Sequence, residues 1–469
     1  MSFDQITALL VLLAVVGVLI HGRLRADVVA LTGAAVLLML GVVRPTEVQS
    51  AFASPAIIAL AGLFVIAYAI ELSGLLGLMI RQATKLAKRF GAAGLWAVLG
   101  MCGSLGGFLN NTPVVVLAAP VVRDVAKSLK LSPKRFLMPL SHISVLGGLL
   151  TLIGTSTNLL VNDMARNAGQ PVFTLFEITP VGLAIALTGA VWLYVVGARQ
   201  LGATVGADER EAAYLAALEE AEREAEAERQ RKRRLRLPFG LPFLGEARTN
   251  RDGSGDAHLG DVGLFEAADR PFDLKRALIA AAVFVTVVAA AGLGLIPIAA
   301  AAFAGAVALI LLRVLTAEEA YAGLRPEILL LIAGMVVIGI AIEVTGLAQA
   351  GAEALIDVIR PLGPLGALIV LYGVTLFATE LLSNATVAVL ITPVAVALAE
   401  SLGVDPRPFL VCVMMAASAA FATPFGYQTN VLVFQMGGYS YMDFVRVGLP
   451  LNLITWAAAM IAIPTFFPF

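Results

Sequence analysis

The stretch LNNTPVVVLAAP, residues 109–120, sets two asparagines and a threonine, Asn110, Asn111 and Thr112, inside an apolar run, and it recurs as LSNATVAVLITP at 382–393. The match pairs Asn111 with Asn384 and Pro120 with Pro393 at one common spacing along the chain. Three further blocks keep that spacing to within one residue: AIELSGLLG (69–77) with AIEVTGLAQ (341–349), SPKRFL (132–137) with DPRPFL (405–410), and GTSTNLLV (154–161) with GYQTNVLV (426–433). Four blocks at one offset mark an internal duplication.

Composition sets the environment of the duplicated unit. Hydrophobic residues are 59% of the 469 and charged residues 14%, with mean hydropathy +0.91, which is the profile of an all-α, multi-pass membrane protein. The net charge of -1 argues neither for nor against an acidic partner or nucleic acid, and a multi-pass membrane protein of this kind is not expected to bind nucleic acid. Cys102 and Cys412 lie in apolar runs and form neither a disulfide framework nor a metal cluster. The first apolar run is followed, not preceded, by basic residues, and it reads as a retained span.

Windows long enough to cross a bilayer fall near 5–21, 27–43, 55–79, 136–162 and 174–198, then near 275–293, 296–314, 327–347, 408–435 and 447–467. Two more, 92–128 and 362–400, are too long for one span and are broken midway by polar residues, so each is expected to enter and return as a hairpin. This topology gathers Arg23, Arg25, the basic residues from Arg81 to Arg89 and those from Lys127 to Arg135 on one side, which the positive-inside bias makes cytoplasmic. Both termini then face outward. Five spans and a hairpin per half are an odd number of crossings, so the halves are expected to be inverted repeats, as in secondary transporters. The first repeat covers 1–199, with scaffold spans in 5–79, a hairpin, a broken helix at 136–162 and a last span. The second covers 275–469, with scaffold spans in 275–347, a hairpin, a broken helix at 408–435 and a last span.

Between them, 200–274 is expected to be cytoplasmic: a charged, solvated helix over 209–236, acidic first and basic last, then a loop over 240–270.

Polar tips at membrane depth survive only where protein or a watery cavity covers them. Half-helices ending there aim N–H groups at an anion, while unwound carbonyls and side-chain oxygens suit a hard cation such as sodium. Glycines 154 and 426 allow helices 136–162 and 408–435 to unwind beside such oxygens.

At these residues the chain resembles the divalent anion/sodium symporters of the ion transporter superfamily. Their hairpin tips carry Ser-Asn-Thr, where this chain has Asn110-Asn111-Thr112 and Ser383-Asn384-Ala385 followed by Thr386. SAAFATPFGYQTNVLV is similar to their C-terminal signature, apart from Phe425, and GRLRADVVAL, FLNNTPVV and LIGTSTNL resemble bacterial members described as sulfate or anion permeases, here without the paired central domains many of them hold. The resemblance implies a sodium-coupled symporter of a small divalent anion, a homodimer in the lipid bilayer of the cell, bacterial inner membrane included, working by an elevator-type motion. It implies sodium sites at Asn111, Gly154 and Asn158 and at Asn384, Gly426 and Asn430, with no other metal. Substrate is expected at Asn110, Thr112, Ser383 and Thr386, with Thr157 and Thr429 approaching from the broken helices. The extra amide at Asn110 and the hydroxyl missing at Ala385 favour compact sulfate over a C4-dicarboxylate.

Other classes remain in view. A cation/proton antiporter would need a membrane carboxylate, and Glu380 is the candidate near a tip; Glu71 and Glu343 lie near span ends. His142 is expected to be packed and hydrogen-bonded. A receptor or scaffold built around 200–274 is a third reading. No catalytic constellation appears, so an enzyme is not expected.

Overall fold

The computed structural model describes residues 2–21, 24–202, 272–350 and 362–469, and all regular structure among them is helical. The expected helix over 209–236 and loop over 240–270 lie outside the described residues. In chain order the first half has α1 (Phe3–His21), α2 (Ala26–Met39), α3 (Pro45–Phe52), α4 (Pro55–Leu72), α5 (Leu75–Phe90), α6 (Ala92–Gly106), α7 (Asn111–Ser128), α8 (Lys134–Gly148), α9 (Ser156–Asn167) and α10 (Thr179–Trp192). A π turn, Leu193–Gly197, carries α10 into the short α11 (Ala198–Gly202). The second half has α12 (Leu274–Gly292), α13 (Ile298–Leu311), α14 (Ala317–Gly323), α15 (Pro326–Val344), α16 (Gly363–Thr379), α17 (Asn384–Leu402), α18 (Arg407–Ala417), α19 (Gln428–Gly437) and α20 (Tyr441–Phe466). Six described stretches, Pro45–Leu72, Thr179–Leu201 and helices α12, α15, α17 and α20, are long and apolar enough to cross a membrane, and shorter apolar helices accompany them. The chain is an all-α, multi-pass membrane protein.

Helix ends follow local chemistry. Ser54 caps α4 by accepting from Ile57 N at 3.3 Å, and Pro55 fits the first turn because it lacks the N–H that would go unpaired there. The span expected over 55–79 ends earlier, at Leu72: Gly74 has φ +71°, which terminates α4, and the basic amphipathic α5 begins as a separate helix. The counterpart expected over 327–347 likewise ends at Val344, before Gly346 at φ +71°. Two short helices, α3 and α14, do not register as apolar windows. Both are held by the same capping contact, Arg44 N to Glu47 Oε2 at 2.6 Å and Thr316 N to Glu319 Oε2 at 2.8 Å, and the two glutamates are separated by the repeat spacing.

The helices pack as two groups. In one, α4 lies along α13 and α15 lies along α2. A Cβ on Gly62 would sit 2.6 Å from the Ala302 backbone, and one on Gly334 would sit 2.7 Å from that of Ala30. The repeat spacing relates Gly62 to Gly334 and Ala30 to Ala302, so it turns one contact into the other with the partners exchanged. The duplication is written into the packing as well as the sequence. Such close approach of small residues is how helices associate where lipid supplies no hydrophobic drive. In the other group α6 packs on α8, α10 on α20, α16 on α18, and α17 on α9 and α18; α15 to α17 and α4 to α9 are among the contacts joining the groups.

Candidate functional site

Each half contributes a helix pair and an interrupted helix to the second group. The pairs turn between α6 and α7 and between α16 and α17, and the interruptions separate α8 from α9 and α18 from α19. At the first turn Asn110 Oδ1 accepts from Thr112 N at 3.2 Å; at the second Ser383 Oγ accepts from Thr386 N at 3.2 Å, and the two hydroxyls lie 2.7 Å apart. Each tip is thus the capped N-terminus of a long helix, with the partial positive charge that such an end carries.

The interruptions share one fastening. Asn158 Nδ2 donates to the Gly148 and Thr151 carbonyls at 3.4 and 3.0 Å, and Asn430 Nδ2 donates to those of Ala420 and Thr423 at 2.9 and 3.2 Å. In both the amide reaches ten and seven residues back, taking up carbonyls that an unwound helix would strand. A hydroxyl then ties each break to its own tip: Thr151 donates to the Gly107 carbonyl, and Thr423 Oγ1 to Glu380 Oε2 at 2.8 Å. Asn158 and Asn430 are therefore committed through their N–H groups to holding the backbone, and both are fully buried.

Asn111 and Asn384 stand at the centre of each arrangement. Asn111 is 1% exposed, and its Oδ1 has no hydrogen-bond partner among the described residues. A point one Cβ out from Gly106 lies 2.5 Å from that oxygen and 2.6 Å from the Ser144 carbonyl, so two oxygens face the same small space. The Gly154 carbonyl and Asn111 Nδ2 are similarly neighbours, 3.2 and 3.1 Å from a Cβ built on Gly148. In the second half Thr379 occupies the place of Gly106. Its Oγ1 lies 2.7 Å from Asn384 Oδ1 and 2.8 Å from the Ala417 carbonyl. Gly426 N donates to Thr423 Oγ1 at 3.0 Å. The sequence match between the halves begins at Leu109; carried back to Gly106 and Thr379 it exposes this hydroxyl.

Four donors meet at Glu380. Its carboxylate accepts from Ala422 N (2.8 Å), Thr423 N (2.9 Å), Thr423 Oγ1 (2.8 Å) and Asn452 Nδ2 (2.7 Å). That set suits a carboxylate acting only as acceptor, bracing an unwound backbone. His142 is fully buried against Phe421 and Phe444, with ring centroids 5.2 and 5.9 Å away. Contrary to the expectation of a hydrogen-bonded histidine, neither ring nitrogen has a partner among the described residues; aromatic edges surround it instead.

Of the expected substrate residues, Asn110 and Thr112 sit at the first tip and Ser383 and Thr386 at the second. Thr157 and Thr429 are at most 1% exposed and face hydroxyls within the protein, those of Thr155 at 3.3 Å and Ser141 at 2.7 Å. Sequence reading misses Tyr427 and Gln428, which stand where the first half has Thr155 and Ser156. Both reach across to the first tip: Asn111 Nδ2 donates to the Tyr427 hydroxyl at 3.4 Å, and Thr112 Oγ1 to Gln428 Oε1 at 3.2 Å. Ser141 Oγ also crosses, 2.7 Å from Asn430 Oδ1. Among the described residues no cluster of His, Cys, Asp and Glu could hold a metal ion. What the arrangement offers is neutral oxygens for a hard cation and helix N-termini for an anion.

Comparison with known proteins identifies the family. The profile of the citrate transporter family matches residues 11–406 and 381–468. An uncharacterized transporter of Synechocystis sp. is 26% identical over 92% of this chain and 92% of its own length, and the uncharacterized transporter YfbS of Escherichia coli K12 is 27% identical over 100% of each. Sodium/sulfate cotransporter 1 of Chlamydomonas reinhardtii is 34% identical over 30% of this chain and 16% of its own length. The resemblance to ion transporters noted in the sequence holds, and the expectation of a non-enzyme holds with it: the chain belongs to the citrate transporter family and is a membrane transporter.

Proposed function

We propose that the protein is a secondary transporter that couples sodium entry to uptake of a small divalent anion, sulfate before C4-dicarboxylates, through inverted repeats whose site-bearing helices move as a body past the other group. The observation that carries the sodium reading is the position of Thr379. One hydroxyl proton faces two acceptors, Asn384 Oδ1 and the Ala417 carbonyl, both within 2.8 Å. If the proton goes to the carbonyl, the lone pairs of Thr379 Oγ1 and Asn384 Oδ1 are left side by side, an arrangement that a hard cation between them satisfies. Asn111 Oδ1, buried without a partner beside the Ser144 carbonyl, supplies the counterpart.

The anion lies, in this reading, between the tips, where Asn110, Thr112, Ser383 and Thr386 offer amide and hydroxyl donors and α7 and α17 offer their N-termini. Sulfate is supported by these neutral donors and by the similarity to the Chlamydomonas sodium/sulfate cotransporter. The two helix groups provide the bodies for an elevator motion, and a homodimer held by the scaffold spans is part of the proposal.

The test is uptake into proteoliposomes of labelled sulfate, succinate, citrate and phosphate, with and without a sodium gradient. Sulfate uptake should require sodium, and Asn111→Ala and Asn384→Ala should each raise the sodium needed for half-maximal rate. Succinate uptake that saturates while sulfate neither enters nor competes would overturn the substrate assignment, and unchanged sodium dependence in both variants would overturn the sites.

A further inference from the structure

The two halves differ in sequence where the chain leads from the scaffold into the hairpin. In the first half this is α5, LLGLMIRQATKLAKRF, with Arg81, Lys85, Lys88 and Arg89 and no acidic residue. The corresponding sequence of the second half, 347–362, carries Glu353, Asp357 and Arg360. Leu76, Ile80 and Ala87 of α5 are at most 3% exposed and α5 packs on α6 and α7, while Arg81, Gln82, Lys85 and Arg89 are exposed. Among the described residues none of those three cations has an ion-pair partner. Lys127 and Lys130 are exposed at the end of α7, which with the start of α6 forms the open end of the same hairpin.

We infer that the exposed basic face of α5, with Lys127 and Lys130, is a docking surface for anionic phospholipid headgroups. Phe90 decides between a lipid surface and a soluble polyanion. It is 57% exposed at the end of the basic run, with the Arg89 guanidinium 5.7 Å from its ring. With the apolar face of α5 already covered by α6 and α7, what remains exposed is a row of cations with an aromatic at its rim, a surface that suits the headgroup region, where each cation gains from anionic lipid. Its acidic counterpart makes the preference one-sided, and the proposed orientation only names the cytoplasmic leaflet as the source. Because α5 runs from α4 to the hairpin, bound lipid holds one end of the moving body.

The experiment needs no transport assay. The full chain in neutral detergent is titrated with phosphatidylglycerol or phosphatidylcholine and its unfolding temperature is followed, since a ligand that binds only the folded form raises it. Phosphatidylglycerol should raise it and phosphatidylcholine should not. The triple variant Arg81→Gln, Lys85→Gln, Arg89→Gln should keep about a third or less of the shift, as should ~0.5 M salt acting on the intact chain, because exposed charges are then screened within a few ångströms. Arg44→Gln should leave it intact. Should the triple variant not fold, Lys85→Gln and Arg89→Gln singly must each reduce the shift. An equal response to both lipids, or a full shift in these variants, overturns the inference. So does a shift that emerges only when 203–271 is deleted, which would make the chain's own acidic segment the occupant.

Discussion

The two interrupted helices share one backbone fastening and differ in what braces it. The first break is held by neutral groups: Thr179 Oγ1 donates to the Leu150 carbonyl at 2.6 Å, and Leu152 N donates to the Leu175 carbonyl at 2.9 Å. The second is gripped by Glu380, which stands where the first half has Gly107. Both halves keep unpartnered oxygens among the described residues, Asn111 Oδ1, Ser144 Oγ and Asn158 Oδ1 in the first and Ser418 Oγ and Asn452 Oδ1 in the second, but the second half alone brings a hydroxyl, Thr379, to its central amide. The duplicated arrangement is therefore braced unequally, by neutral hydrogen bonds in one half and by a fixed carboxylate in the other.

Removing the braces should separate the halves most strongly. Glu380→Ala strands four donors, and at ~1–3 kcal/mol for each buried group left unpaired the loss exceeds what one substitution usually costs. A fall in unfolding temperature and near-complete loss of uptake are expected. Thr179→Val removes one neutral bond, worth about 1 kcal/mol, and should leave most of both. Equal effects in thermal unfolding and uptake would mean that the carboxylate does no more than a hydroxyl, whereas lost uptake with an unchanged unfolding temperature would return Glu380 as a candidate proton carrier.

Next in size is the hydroxyl that only the second half owns. Thr379→Val keeps the side-chain shape and deletes the shared oxygen. The sodium concentration for half-maximal uptake should rise about tenfold, equivalent to ~1.4 kcal/mol. Asn111→Ala, acting on the half without that hydroxyl, should shift it less. The reverse order in sodium titrations would place the stronger cation site in the first half.

Much of this comparison is legible in the sequence alone. The constant repeat spacing locates both tips and both breaks because polar residues in apolar sequence are costly, and they stand out when repeated. Glu380 is visible as an intramembrane carboxylate, but its role depends on Asn452, 72 residues away, and on N–H groups freed by an unwinding whose extent no periodicity reveals. Helices α3 and α14 escape notice because they are too short and polar for a hydropathy window, though their glutamates share the offset. Tyr427 and Gln428 are hidden for the opposite reason: they break the repeat, and a search for likeness passes over differences.

The tips should differ as well. Thr112 Oγ1 is already engaged with Gln428, whereas Ser383 is exposed and bonded only within its own tip. Ser383→Ala should weaken anion affinity about tenfold, in line with a charge-assisted bond of ~1.5–3 kcal/mol, and Thr112→Val by roughly threefold. Competition by unlabelled anion measures both, and a larger loss at Thr112 would move the anion toward the first tip.

The smallest effect belongs to one of the residues that join the halves, Tyr427. Tyr427 carries its hydroxyl from the second break to Asn111 of the first tip, and at 3.4 Å that contact is near the limit of a hydrogen bond. Deleting it in Tyr427→Phe leaves the ring in place and frees Asn111 Nδ2, at a cost of ~0.5 kcal/mol, the low end for a neutral pair. The sodium half-saturation should move about twofold, and anion affinity should hardly change, because Thr112 keeps Gln428. Combining Tyr427→Phe with Asn111→Ala makes the comparison sharper. If the phenol acts through the Asn111 amide, the double variant should match Asn111→Ala alone; if the effects add, Tyr427 works on some other group and the link between the halves runs elsewhere.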